Sequence, residues 1–336
     1  MRIEGRKWTT LVTTALLCQV FPVVAAHAPV GGESPDAQIG AAEAWAFPRF
    51  PPPDPHAPKS DPARIIHVAG STRRYTQAQL DVEHFVPDWF PQDHSAAPPI
   101  VAVDRRPGWP WPCAECHMVN GAGVPATAQI MGLPKGYILE QVAAFRHGQR
   151  GASAPRTTQD MADEARSLSD DDLQLAAGYF SRLKLVPHTR VVESANVPKT
   201  HWMDFVQVPD QDGAREPLGE RIVEVPESFD DYRHGSGRTR YVAYVPPGSI
   251  ARGAAIAANG SGAAPACESC HGARLQGTDA VPPLAGRSPT YIVRELLLFR
   301  AGQRSNPAAA PMRLEASQLT VDDMIAVAAY AGSRTP

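Results

Sequence analysis

The sequence predicts a mainly α protein: two tandem copies of one helical module, preceded by an extended proline-rich segment and joined by an extended connector. Three observations carry this. First, the chain repeats itself. CAECH at 113–117 recurs as CESCH at 267–271, and at the same offset YILEQVAAFRHGQR (137–150) matches YIVRELLLFRAGQR (291–304) without a gap. Farther on, with three residues fewer, Met161 pairs with Met312, Leu168 with Leu319, Asp171-Asp172 with Asp322-Asp323 and Tyr179 with Tyr330. Second, the repeated stretches space their apolar residues at helical intervals and end in Gly148 and Gly302. Third, 16 of the 34 prolines fall between Pro29 and Pro112, which makes that approach extended.

Taken in order, residues 1–28 read as a secretory signal peptide. Arg2, Arg6 and Lys7 precede an apolar run, and Val24-Ala25-Ala26 and Ala26-His27-Ala28 are both cleavage signatures. The run is short of the roughly 20 residues a membrane span needs. Residues 29–97 form the proline-rich extension. The first module is placed at 98–186, with Ser169 as the cap of a helix whose Asp170-Asp171-Asp172 suit its N-terminus. Residues 187–247 read as an extended connector, where RIVEV and RYVAYV alternate like a short hairpin. The second module is placed at 248–334. It opens with a helix from Ser249 to Ala258 and closes with one capped by Thr320. APPIVAVDRRPGWPW, before the first cysteine pair, is too rich in proline to match that opening helix.

Composition narrows the function. Hydrophobic residues are 43% and charged residues 20%, the balance of a soluble globular chain. Residues 1–28 carry a net +2, so their removal takes the formal charge from −3 to −5, which argues against nucleic acid as a partner. Cys18 leaves with the signal peptide. The remaining thiols are Cys113, Cys116, Cys267 and Cys270, all within the two C-x-x-C pairs.

Each pair is followed at once by a histidine, His117 or His271. On a helix, positions i, i+3 and i+4 share a face. Two thiols can then form thioethers to haem vinyls while the imidazole comes up beneath the iron; C-x-x-C-H is the signature of c-type haem attachment. A zinc site would bring its cysteine pairs within about 20 residues of each other. A redox dithiol would follow a strand in an α/β pattern. Neither fits two copies a whole module apart. Two covalent haem c groups are therefore expected. Met161 and Met312 are the two methionines that pair across the repeat, and they lie in polar stretches read as loops, which makes them the candidate second iron ligands. Bis-histidine ligation is the competing arrangement, although His147 has Ala301 as its counterpart. Backbone carbonyls at Gln129 and Pro283, twelve residues after each histidine, are expected to accept the ring N–H. Arg287 is read either as a partner of a haem propionate or as a solvated surface arginine, with Leu133 opposite it in the first copy.

CAECH, CESCH, the PPLAGR stretch at 282–287, the repeated Y-I…F-R-x-G-Q-R helix and Met161 with Met312 together resemble the tandem class I c-type cytochromes, specifically the cytochrome c4 family of diheme electron carriers. The resemblance covers about 98–186 and 248–334. It implies two small all-helical domains, each wrapped round one haem, carrying single electrons between redox proteins in the periplasm. It implies no catalytic residues. A periplasmic dehydrogenase or a terminal oxidase or reductase would be the partner, and peripheral membrane association through that partner stays open. Two other functions fit the same motifs. A diheme peroxidase would need an openable iron position, and a cytochrome subunit of a periplasmic dehydrogenase would use the long extension to wrap its partner.

Overall fold

The computed structural model describes residues 45–52, 60–82, 85–103, 111–151, 156–278 and 280–336. The signal-peptide reading of residues 1–28 lies outside them.

The first copy contributes α2 (Pro99–Ala102), α3 (Ala114–His117), α4 (Lys135–Arg146), α5 (Arg156–Ser167) and α6 (Asp170–Arg182). The second contributes α8 (Ser249–Asn259), α9 (Glu268–His271), α10 (Pro289–Arg300), α11 (Ala310–Gln318) and α12 (Val321–Ser333). Local chemistry fixes their ends. Ser169 Oγ accepts from the Asp172 amide at 3.1 Å at the start of α6. Thr320 and Asp323 form a reciprocal capping box at the start of α12. Gly148 and Gly302 take positive φ values of 67° and 70° just past α4 and α10, which stops both helices.

The proline-rich approach differs from the second copy's opening helix, as its sequence implies, whereas the methionines depart from the sequence expectation. The proline-rich approach holds a one-turn helix, α2, where the second copy has the eleven residues of α8. Pro98 and Pro99 start it, and Ile100 and Val101 are buried on the core of the first copy. Met161 and Met312 lie on helices, not loops, because α5 and α11 bury a narrow stripe and leave the rest polar. Ala162 and Ala165 supply that stripe on α5, Ala316 on α11.

In the second copy α8 and α12 pack closely. A Cβ built on Gly253 would lie 1.9 Å from the Ala326 carbonyl oxygen. Arg252 also reaches across to Asp323, at 2.6 Å. Gly253→Ala is expected to force the two helices apart and cost about 1–3 kcal/mol, read as a lower denaturant midpoint with an unchanged haem content.

The region expected to be an extended connector is folded. It holds α7 (Phe229–Arg233) and seven strands: β3 (Thr189–Glu193), β4 (Asn196–Pro198), β5 (Thr200–Met203), β6 (Val206–Pro209), β7 (Arg215–Pro217), β8 (Val223–Pro226) and β9 (Tyr241–Val245). RIVEV and RYVAYV do pair antiparallel, as β8 and β9. β3 then adds to β9 in parallel, giving the order β3-β9-β8, while β4 pairs β7 and β5 pairs β6. Val197, Leu218, Val223 and Val225 form an apolar cluster of its own.

The described part of the extension carries β1 (Ile65–Ile66), β2 (Tyr75–Thr76) and the one-turn α1 (Gln77–Leu80) around Ile66, Val68, Trp89 and Phe90. It is tied to the β region by Trp89, which donates to the His234 carbonyl at 2.7 Å, and by Arg238, which pairs with Asp93 through two 2.6 Å bonds and lies over the Phe90 ring.

The two helical copies meet across a near-symmetric seam. Arg150 and Arg304 form an antiparallel bridge. The Gly151 amide donates to the Gln303 carbonyl and the Ser305 amide to the Gln149 carbonyl, at 2.8 and 2.7 Å. Beneath the bridge, Arg150 donates to Gln141 (2.9 Å), Glu295 (2.9 Å) and the Tyr291 hydroxyl (3.2 Å). Arg304 repeats the pattern onto Gln141 (2.6 Å), Glu295 (2.8 Å) and the Tyr137 hydroxyl (3.3 Å). Each residue is opposite its own repeat partner, except that the first copy has Gln141 where the second has Glu295.

Candidate haem sites

In each copy the C-x-x-C-H residues fold as a single helical turn, α3 or α9, with Cys113 or Cys267 at the N-cap and the histidine in its last position. The turn brings the second cysteine and the histidine onto the face of the first cysteine. Met118 follows at φ 62° and Gly272 at φ 82°, so the chain turns away sharply after each histidine.

The histidines are oriented in the same way. His117 Nδ1 lies 2.9 Å from the Ala128 carbonyl and His271 Nδ1 lies 2.9 Å from the Pro282 carbonyl. Each acceptor is eleven residues downstream, one earlier than the Gln129 and Pro283 carbonyls expected from the sequence. A carbonyl can only accept, so Nδ1 carries the proton and Nε2 keeps its lone pair for a metal. Burial lowers both imidazoles below their ordinary range. At His117 the Arg150 charge adds to this and the Ala128 carbonyl opposes it, and at His271 the Pro282 carbonyl opposes it. Neutral imidazole is the ligating form.

Cys116 and Cys267 have the opposite character to redox or zinc cysteines, whose surroundings favour thiolate. Burial pushes Cys116 up to about 12, with Glu115, Asp160 and Glu164 adding to it. Burial likewise pushes Cys267 up to about 11, with Glu315 the next cause. None of the four cysteines is in a disulfide. Among the described residues no group of three or more His, Cys, Asp and Glu could hold a metal ion. A shielded thiol of raised pKa in each turn, Cys116 or Cys267, beside a histidine with a free Nε2 fits a thioether-attached haem.

The carboxylates acting on these thiols reveal a feature that inspection of the cysteines and methionines alone missed. Glu164 stands three residues after Met161 on α5, and Glu315 three after Met312 on α11. Residues three apart share a helix face. The signal was present as MADE and MRLE, at the offset that pairs the methionines. Met161 and Cys113 pack on one core, and Met312 and Cys267 on the other. His147, the bis-histidine candidate, follows α4 as its C-cap.

Arg287 is neither solvated nor a simple surface residue. It is 4% exposed, and its guanidinium donates to the carbonyls of Pro283 (2.7 Å), Gln129 and Met131 (3.4 Å). The last two belong to the first copy. Beside it, the Ser288 amide donates to Gln129 Oε1 at 2.9 Å, and Ser288 Oγ to Glu224 of β8 at 2.7 Å. No long apolar helix crosses this arrangement: among the described residues none is long and apolar enough to span a membrane.

No protein-family model matches the chain. Cytochrome c-552 of Acidithiobacillus ferridurans is 42% identical over 69 residues, 20% of this chain and 29% of that protein. Cytochrome c4 of Pseudomonas aeruginosa is 24% identical over 224 residues, 65% of this chain and 81% of that one. Cytochrome c-554(548) of Halomonas halodenitrificans is 38% identical over 69 residues, 20% of this chain and 83% of that one. Among solved structures, thiosulfate dehydrogenase TsdBA of Marichromatium purpuratum matches at TM-score 0.46 and 26% identity, over 68% of this chain and 37% of that chain. Cytochrome c4 of Acidithiobacillus ferrooxidans matches at TM-score 0.43 and 24% identity, over 66% of this chain and 98% of that chain. The chain thus spans 29% of cytochrome c-552 and 37% of the TsdBA chain. With two C-x-x-C-H turns whose thiols and histidines fit haem, and with 83% of cytochrome c-554(548) matched at 38% identity, the chain belongs to the class I c-type cytochromes, as a diheme, cytochrome c4-like member with two covalently bound haem c groups.

Proposed function

We propose that the protein is a periplasmic diheme carrier that passes single electrons between redox proteins, with one haem in each of the units 98–186 and 248–334. Cys113 and Cys116 attach the first haem and Cys267 and Cys270 the second. His117 with Met161, and His271 with Met312, would hold the two irons. The observation that carries this reading is the pairing in both copies of the first cysteine and the methionine on one core, with a carboxylate on the methionine helix acting on a cysteine thiol. Thioether sulfur favours Fe(II), so histidine–methionine ligation would raise the reduction potential. With both donors in place neither iron would be free for peroxide, so this reading assigns no catalytic residues. A signal peptide at 1–28 places it where haem c is attached, and the net charge of −5 after its removal suits a protein partner: a periplasmic dehydrogenase, or a terminal oxidase or reductase.

Met312→Ala is expected to remove one of two methionine–iron charge-transfer bands and to lower one of the two midpoint potentials; Met161→Ala does the same for the other haem. Absorption spectra and a redox titration of the purified holoprotein read both. An unchanged spectrum refutes the ligand assignment. A high-spin, peroxide-reactive haem in the unaltered protein refutes the carrier reading.

A further inference from the structure

The hydrogen bonds of Arg287 have a regularity that the repeat itself does not contain. In each copy the carbonyl eleven residues after the histidine accepts the ring N–H: Ala128 for His117, Pro282 for His271. In each copy the very next carbonyl, Gln129 or Pro283, accepts from Arg287. One guanidinium therefore holds both histidine-orienting loops, one peptide beyond the bond that sets each ring. The path from His117 to His271 runs through the Ala128–Gln129 backbone, the Arg287 fork and the Pro283–Pro282 backbone.

The repeat does not duplicate this residue: Leu133 stands opposite Arg287 in the first copy. The rigid fork suits the task, because it can bond several fixed acceptors at once where an ammonium presents a single point charge. Its hydrogen bonds among the described residues all go to carbonyls, so its positive charge is not cancelled by a paired carboxylate. Burial brings the guanidinium down to about 10, which still leaves it charged at neutral pH.

We propose that Arg287 is a positioning residue shared by both haem sites: its guanidinium clamps the two histidine-orienting loops together, so that both reduction potentials answer to this one side chain. The proposal rests on His117 and His271 being iron ligands. A fixed positive charge at this place disfavours the oxidised, more positive state of each iron. Its loss therefore favours oxidation at both.

The test is a spectroelectrochemical titration of the full-length holoprotein that resolves the two haems, with the paramagnetic NMR spectrum recorded alongside. The unaltered protein first shows whether both irons carry a histidine ligand; a spectrum without two such haems overturns the ligand reading, and the clamp with it. In Arg287→Met both midpoint potentials are expected to shift downward and the haem methyl resonances of both haems to move. In Arg287→Lys, which keeps the charge but not the fork, the haem methyl resonances of both haems are expected to move while both potentials shift by less than in Arg287→Met. A shift confined to the haem of the second copy, or no shift with both haems attached, overturns the shared clamp. If Arg287→Met does not accumulate, the lysine variant decides by the same criterion: a change at both haems supports the clamp, and a change at one or none overturns it.

Discussion

Glu295→Gln is expected to destabilise the folded holoprotein by about 3–5 kcal/mol, the usual cost of leaving a buried charge without its partner. The side chains of Arg150, Arg304 and Glu295 are all largely shielded from solvent, and Glu295 is the carboxylate both arginines share. Both arginines already keep a buried Nε with no acceptor among the described residues, and the two share one carboxylate, so the seam starts with more positive charge than Glu295 balances. Glutamine matches the glutamate in size, which isolates the charge from any packing change. Denaturant unfolding followed by circular dichroism measures the loss; a change under about 1 kcal/mol would show that the pair contributes little. The reverse change, Gln141→Glu, supplies the missing carboxylate and is expected to be tolerated or stabilising. The pH dependence has a definite sign. Burial raises the Glu295 carboxyl, but the charges of Arg150, Arg304 and Arg294 outweigh it and hold it below the ordinary carboxylate value. Its contribution is therefore full above about pH 4.3 and is lost as pH falls through the depressed folded value, so the seam loosens in acid.

The second large effect is expected from Cys267→Ala combined with Cys270→Ala. Covalent haem falls from two to one per chain, read by pyridine haemochrome against protein concentration. Cys267 and Met312 both pack against the apolar core of the second copy, which a haem attached there would complete. Where a bound group is part of the core, its binding free energy is folding free energy. The helices α8 to α12 are therefore expected to lose much of their ellipticity, while the first copy keeps its spectrum. Retention of two covalent haems would refute the attachment sites.

Much of this was legible in the sequence because it is local. The cap residues Ser169 and Thr320, the stops at Gly148 and Gly302 and the two C-x-x-C-H turns each act within one helical turn, and the structure places them as read. What was misread depends on distance. β8 and β9 show as alternation, but β3 pairs in parallel with β9, about fifty residues on, and a long-range partner leaves no mark in the strand itself. The helices of Met161 and Met312 bury only a few alanines, so their polar composition looks like loop. Arg287 escaped because its role lies between the copies, and comparison of one copy with the other, which set it against Leu133, hides whatever joins them.

The seam of Arg150 and Arg304 has the form of a two-fold dimer contact, in which a patch meets a second example of itself. Such a contact between separate chains would open on dilution. Here both halves lie on one chain, so the contact forms at an effective concentration set by residues 151–303 and not by the amount of protein present. The distance between the two haem sites, and any electron exchange across it, is thereby insulated from expression level. The substitution of one carboxamide for one carboxylate also makes the two halves unequal, which no pair of identical chains could be.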